Sequence, residues 1–399
     1  MLRFNDGSRS GNRARHCSDL QYLSAMYNAG MRDTTVIPKF STIEMCAGAG
    51  GQALGLHRAG FSHSILVEID EFACRTLRHN NAALGLGWGE IVEGDLKHFA
   101  EERAAQFAGK IDLVAGGVPC PPFSKAGKQL GAKDERDLFP TALAIVRKVQ
   151  PSAVMLENVA GLMEPVFKPY REFILSELDA MGYTADWKLL NASDFGVPQL
   201  RPRSILVALR KPLFGYFSWP KPGELRTPTV GEALHDLMAS NGWPGAAEWK
   251  LKANSIAPTL VGGSKKHGGP DLGPTRAKAA WHKLGVNGHR LAAEHELPHA
   301  EFAGAIGRDG GVRSGCENMP LLNVRMAARL QGFPDDWSFV GAKTHAYRQV
   351  GNAFPPPVAE AVGRHIREAL HAASQIGREG SSSTAAASSP PAELPSTYV

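Results

Sequence analysis

The chain has 399 residues, 43% hydrophobic and 21% charged, with a formal net charge of +5 at pH 7. That length can bury a full core and a second, smaller unit. No apolar run approaches a membrane span, and Arg3, Arg9, Arg13 and Arg15 are followed by no apolar stretch, so neither a membrane protein nor a secretory signal is expected. The five cysteines, Cys17, Cys46, Cys74, Cys120 and Cys316, are far apart and form no CxxC pair. That argues against a disulfide framework and against a zinc-thiolate cluster. A soluble, cytoplasmic chain is the expectation.

Residues 1–38 read as a flexible basic arm. From 39 to 218, short β-rich apolar runs alternate with amphipathic stretches. Phe40–Met45, Ser64–Glu68, Ile111–Ala115, Ala153–Leu156 and Ser204–Leu209 predict strands. Gln52–Ala59, Glu71–Asn80, Leu138–Val149 and Tyr170–Met181 predict helices. The alternation implies an α/β fold: a doubly wound, mostly parallel sheet with ligands at the carboxyl ends of its strands.

Candidate site residues fall at those ends. After the first strand, Cys46-Ala47-Gly48-Ala49-Gly50-Gly51 offers a glycine turn that lets the backbone approach a nucleotide-like cofactor. The second strand ends in Glu68, followed by Ile69; a carboxylate there can take both hydroxyls of a ribose. Gly94-Asp95-Leu96 marks the end of a third strand, where a carboxylate could accept from an adenine amino group. Each acid alone reads more readily as a helix cap or turn residue. Three such features in order point to an adenosine-containing cofactor.

Pro119-Cys120-Pro121-Pro122 displays a thiol on a proline-stiffened backbone, as a nucleophile would be displayed. The alternative is a small apolar core residue, since only a depressed pKa makes a thiol reactive. Glu157 ends the next strand on the same rim, where a carboxyl group could hold or deliver a proton to a ring nitrogen. In Gln199-Leu200-Arg201-Pro202-Arg203, the spacing of two puts Arg201 and Arg203 on one face, suited to a phosphate or a base oxygen.

Residues 219–320 are Pro/Gly-rich and weakly periodic. The segment is too long for a structureless loop and reads as a small separate domain or a large insertion. Within it Lys250, Lys252, Lys265, Lys266, Arg276, Lys278, Lys283 and Arg290 face only Asp271, a local charge of +7. This is a candidate phosphate-contacting surface or an ordinary solvated loop. Helical patterning resumes at Asn323–Gln331 and Pro357–Ala372, so 321–374 is expected to return to the first domain, and 375–399 reads as a disordered tail. His295-Glu296-Leu297-Pro298-His299 fits the HExxH zinc pattern, but Pro298 disfavours the helix that site requires, so no metal is expected.

The ordered set Gly48-Ala49-Gly50-Gly51, Pro119-Cys120, Glu157-Asn158-Val159, Gln199 to Arg203, Arg329-Leu330-Gln331-Gly332-Phe333-Pro334 and Tyr347-Arg348-Gln349-Val350-Gly351-Asn352 resembles the DNA cytosine-5 methyltransferase family. The resemblance covers roughly residues 40–370, outside the middle of 219–320. It implies a Rossmann-like domain using S-adenosylmethionine, giving S-adenosylhomocysteine, and a target recognition domain over 219–320. Cys120 would add to C6 of a cytosine flipped out of the duplex, activating C5 for methylation. Glu157 would hydrogen-bond N3 and the exocyclic amine, Arg203 would hold the base oxygen, Arg201 would lie near a phosphate, and Pro119 would shape the pocket.

The resemblance also assigns Cys46, Ala47, Gly48, Gly50, Gly51, Glu68, Ile69, Asp95, Leu96, Asn352 and Ala353 to the cofactor, with Asn352 folded back beside the first glycine turn. Ser124, Lys125 and Gln129, in a closing loop Ser124–Lys133, would face double-stranded DNA together with Thr259, Leu260, Lys265 and Lys266. Glu44 and Cys46 stand where the family usually has Asp and Phe. Ile69 stands where an aromatic residue is common, so adenine stacking is expected to be weaker or supplied elsewhere. A monomer in a bacterial cytoplasm, associated with the nucleoid, is implied, with or without a restriction endonuclease acting separately. A tRNA-directed enzyme and a catalytically silent DNA-binding homologue are the alternatives.

Overall fold

The computed structural model describes residues 40–119, 137–262, 271–307 and 310–385, with side chains as far as 372. Cys120, Ser124, Lys125, Gln129, Lys265 and Lys266 lie outside the described residues, as do the N-terminal arm and the end of the tail.

Seven strands form one sheet: β1 (Phe40–Met45), β2 (Phe61–Glu68), β3 (Glu90–Glu93), β4 (Leu113–Gly116), β5 (Ala153–Val159), β6 (Tyr183–Asn191) and β7 (Pro202–Arg210), in the order β3-β2-β1-β4-β5-β7-β6. The pairings from β3 through β5 are parallel, and β7 runs antiparallel between β5 and β6. The helices in chain order are α1 (Gly51–Arg58), α2 (Glu71–Ala83), α3 (Leu96–Glu102), α4 (Phe139–Val149), α5 (Lys168–Ala180), α6 (Lys211–Phe214), α7 (Val230–Ala239), α8 (Ala246–Lys252), α9 (Thr275–Lys283), α10 (Val324–Leu330), α11 (Lys343–Asn352) and α12 (Pro356–Ala385).

Strand side chains alternate between two faces, and here both faces are covered. Ile43 and Met45, Val114, Val154 and Leu156 pack with Leu96, Phe139 and Ile174 of α3, α4 and α5. Leu113, Ala115, Ala153, Met155 and Val207 instead meet Leu56 of α1 and Val358, Val362 and Ile366 of α12. The latter helices touch closely: a Cβ on Gly55 would lie 2.3 Å from the Pro356 carbonyl oxygen. A third core joins Leu234 and Met238 of α7, Trp249 of α8 and Trp281 of α9 to Leu330, Phe333 and Val350 of the C-terminal return. Contacts group the described residues into one compact unit.

The structure thus has the expected α/β, doubly wound architecture, with three differences in its elements. Strand β6 was not anticipated, because as an antiparallel edge it buries only Tyr183 and Leu190 fully and its sequence lacks a continuous apolar run. Helices α3, α6, α7, α8, α9 and α11 were not anticipated either, each being ten residues or fewer and so too short for a clear helical period. Helix α12 runs to Ala385, beyond the apolar pattern that ends at Ala372.

Because β1 neighbours β2 on one side and β4 on the other, chain direction across the sheet reverses between β1 and β4. A crevice opens outside the carboxyl ends of the strands at such a point.

Candidate active site

The crevice is a cavity of about 710 Å³ that runs from the ends of β1, β2 and β3 to Pro119 and Glu157. The turn after β1 takes left-handed backbone angles at Cys46 (φ 50°), Gly48 (φ 53°) and Gly50 (φ 86°), which glycine adopts without a Cβ clash. Gly51 opens α1 so close to the C-terminal return that a Cβ would sit 2.2 Å from the Phe354 carbonyl oxygen. Only glycine lets Asn352 and Ala353 reach the cavity beside the first turn. Cys46 is not thiolate-like: burial pushes its thiol pKa up, with Glu68, Glu44 and Asp95 adding to the shift.

Glu68 lies at the end of β2 and accepts from the backbone N–H groups of Gly48 at 2.7 Å, Ile69 at 2.9 Å and Asp70 at 2.8 Å. Burial raises its pKa, against the lowering effect of these donors. Asp95 caps α3 through Lys97 N–H at 2.7 Å while lining the cavity, so the cap and the ligand-facing readings hold at once. Ile69, Leu96, Asn352 and Ala353 also line it, and Ile69 is 69% exposed.

On the opposite wall, α11 presents His345, Arg348, Gln349 and Asn352 to the cavity. Their spacing of three and four residues is that of one helix face. The first three escaped sequence reasoning because α11 itself was not anticipated; the spacing of Arg348 and Gln349 from Asn352 within the Tyr347–Asn352 motif was the available signal for those two, and His345 lies outside that motif. Glu44 and Gln52 were missed as well.

Several buried polar atoms around the cavity have no hydrogen bond among the described residues: both Glu44 carboxylate oxygens, both Gln52 amide atoms, His345 Nδ1, Arg348 Nε and Gln349 Oε1. Such atoms are costly without a partner. A ligand with an amino group, a carboxylate and a purine would supply partners of the right kinds. Glu44 also sits 3.8 Å from His63 Nε2, and burial raises the Glu44 pKa while lowering that of His63 to about 3.

At the other end of the cavity, Asn158 Nδ2 donates to the Val118 carbonyl at 2.8 Å, tying the end of β5 to the segment after β4. This holds Val118 and Pro119 at the rim of the cavity that Glu157 also lines. Strand pairing sets Val159 opposite Arg203, and the Arg203 Nε meets Glu157 Oε1 at 2.8 Å, each side chain 12% exposed. Burial raises the Glu157 pKa, opposed chiefly by Arg203. A carboxyl group so placed can carry a proton toward a ring nitrogen, while the guanidinium fixes its orientation.

Arg201 is placed differently from the expected phosphate contact. It precedes β7, so the period-two argument does not apply to it, and it is 1% exposed. Its guanidinium donates to the carbonyls of Leu260 at 2.7 Å, Gly351 at 2.9 Å and Ala353 at 2.9 Å. Burial lowers its pKa, with Arg203 adding to the effect. Gln199, fully buried, accepts from Leu260 N–H at 2.8 Å and donates to Gln331 Oε1 at 2.6 Å, and Gln331 donates to the Ala353 carbonyl. Together these residues join the Gln199–Arg203 segment, the cavity rim and the 257–262 segment.

Leu260 is likewise corrected: its side chain is fully buried in the α7–α11 core and is not a DNA-facing group. Thr259 donates its hydroxyl to the Leu200 carbonyl. In the basic stretch, Lys278 pairs with Asp271 at 2.7 Å and Arg290 with Glu296 at 2.6 Å, whereas Lys250, Lys252, Arg276 and Lys283 are exposed. Around the HExxH pattern, Glu294–Glu296 is a short 3-10 turn rather than an α-helix.

The model of the C-5 cytosine-specific DNA methylase family matches residues 40–368. The chain is 53% identical over 330 residues to the type II methyltransferase M.NaeI of Lentzea aerocolonigenes, covering 82% of this chain and 75% of that protein. It is 50% identical over 332 residues to the type II methyltransferase M.NgoMIV of Neisseria gonorrhoeae, covering 83% of this chain and 98% of that one. Among solved structures, the methyltransferase EhMeth of Entamoeba histolytica shares the fold at a TM-score of 0.56 and 15% identity, over 84% of this chain and 99% of the other. With the family matched over most of its length and with relatives at about half identity, the chain belongs to the C-5 cytosine-specific DNA methylases, the DNA cytosine-5 methyltransferases.

Proposed function

We propose that the protein methylates C5 of a cytosine flipped out of a specific double-stranded DNA sequence, as the modification enzyme of a type II restriction system. The observation that carries this reading is the Glu157–Arg203 pair at one end of the cavity whose other end holds Glu68 and the glycine turn. A base and a methyl donor would share one enclosure. The relatives' names support the restriction-system role, and a monomer acting apart from its endonuclease is the simplest arrangement.

S-adenosylmethionine, when bound, supplies an electrophilic methyl group; Glu68, the backbone of Cys46 to Gly51, Asp95 and Asn352 would hold it. Cys120 attacks C6 of the extruded cytosine, forming an S–C6 bond and moving the ring electrons toward C5. Glu157, whose carboxyl pKa is raised by burial and opposed by Arg203, passes a proton to N3 as charge develops there, and its other oxygen accepts from the exocyclic amine. Arg203 orients Glu157 and presents its remaining donors to the base oxygen. After methylation, solvent water takes the C5 proton, the C–H electron pair re-forms the C5–C6 double bond as the S–C6 bond breaks and Cys120 leaves as thiolate, and N3 returns its proton to Glu157. Flipping costs a few kcal/mol of stacking and pairing, which contacts in the closed complex offset.

Bisulfite sequencing of unmethylated DNA incubated with the purified protein and S-adenosylmethionine tests the reading. Protection of one cytosine in a recurring short sequence is expected. Conversion of every cytosine, or methylation of tRNA alone, would contradict it.

A further inference from the structure

We propose that His345 supplies the aromatic surface against which the adenine of the cofactor lies; the inference rests on the cofactor reading above. The residue after Glu68 is Ile69, which offers no ring. Among the described residues lining the cavity, only His345 and Phe354 carry an aromatic ring. Phe354 belongs to the other end: its backbone abuts Gly51 and its side chain, 5% exposed, packs into the core between the sheet and α12. His345 belongs to the end that holds Glu68, Ile69 and Asp70, because it stacks on Phe72 in the first turn of α2.

The geometry of that stack is what presents the histidine. The ring centroids are 4.2 Å apart with an interplanar angle of 30°, and Phe72 does not line the cavity whereas His345 does. The imidazole therefore stands between Phe72 and the cavity. Its place is fixed from behind: a Cβ on Gly341 (φ 116°) would come within 2.8 Å of the Phe72 ring and 3.0 Å of the His345 Cβ, and the Arg75 guanidinium lies 5.6 Å from the centre of the Phe72 ring. A ring held in this way loses little conformational freedom when a flat ligand stacks on it.

The Nδ1 of His345 is buried and has no hydrogen bond among the described residues, so the imidazole is offered to the cavity as a ring surface rather than through that nitrogen. Leu96 and the Asp95 carboxylate, also lining the cavity, complete a slot for a purine edge.

The test is calorimetric titration of the full chain with S-adenosylhomocysteine and with 5′-methylthioadenosine, which keeps adenine and ribose and lacks the amino acid. His345→Ala is expected to weaken both by about 10-fold, the scale of one base–aromatic stack. His345→Phe, which keeps a ring and loses the nitrogen, is expected to recover most of that loss. In the wild type, the His345 Cε1–H proton resonance, assigned by its disappearance in His345→Phe, is expected to shift with either ligand and not with methionine. Equal affinities for wild type and His345→Ala, no recovery in His345→Phe, or a resonance unmoved by saturating ligand would each overturn the proposal. Failure of the wild type to bind S-adenosylhomocysteine at all would instead overturn the cofactor reading on which it stands.

Discussion

Replacing Arg201 with alanine distinguishes a buried clamp from a phosphate contact. The change removes three hydrogen bonds to buried carbonyls. Ala353 keeps the donor on Gln331, so the Leu260 and Gly351 oxygens bear the main loss. An orphaned buried acceptor costs about 1–3 kcal/mol, so the pair amounts to about 4 kcal/mol before lost packing is counted. That is a large part of the roughly 5–15 kcal/mol that holds a typical domain together. Urea unfolding followed by circular dichroism is expected to show a midpoint lowered by this free energy divided by the slope, with the slope itself little changed. Arg201→Lys is expected to fall between, because one ammonium cannot span three carbonyls as a planar guanidinium does. An Arg201→Ala protein as stable as wild type, with the salt slope of DNA binding reduced by about one, would place the side chain on a phosphate and refute the clamp.

Three further outcomes are expected. Glu157→Gln should lower kcat by about 10²–10⁴-fold, measured by tritiated methyl transfer, because the amide cannot deliver a proton to N3; a change under threefold would remove Glu157 from the chemistry. Burial raises the Glu44 pKa in the folded chain, so the stability this group contributes at low pH is lost as pH rises through the raised value. Glu44→Gln should therefore gain on wild type more at about pH 8 than at about pH 5 in urea unfolding of the cofactor-free protein, and a pH-independent difference would contradict the assignment. Gly55→Ala should destabilise by about 2 kcal/mol, since its Cβ would meet the Pro356 carbonyl at 2.3 Å and the Ala359 Cβ at 2.5 Å; thermal unfolding unchanged from wild type would show that α1 and α12 separate freely.

What could be read from the chain follows from how each part is buried. Strands β4 and β5 are covered on both faces and announce themselves as apolar runs, while β1 is marked by the glycine turn that follows it, and Glu68 and Glu157 could be placed by following β2 and β5 to their ends. Strand β6 is an edge, and α11 mixes Tyr347 and Val350 toward the core with His345, Arg348 and Asn352 toward the cavity, so neither has a clean period. Arg201 shows the limit most clearly. Its charge and spacing suggest a surface contact with DNA, but what fixes its role is the convergence on it of the Leu260, Gly351 and Ala353 carbonyls, all far from Arg201 in the chain. The Thr259-Leu260 pair is similar: the resemblance assigns both residues to DNA, while the burial of Leu260 is a property of the packed fold.

The central claim, methylation of cytosine C5 through a covalent bond to Cys120, is tested most directly by trapping that bond. Duplex DNA carrying 5-fluorocytosine in the methylated sequence, incubated with S-adenosylmethionine, is expected to leave a complex stable to denaturation, because fluorine at C5 cannot depart as the proton does. Peptide mass spectrometry should then find the adduct on Cys120. An adduct on Cys17, Cys46, Cys74 or Cys316, or efficient methylation by Cys120→Ala, would contradict the account.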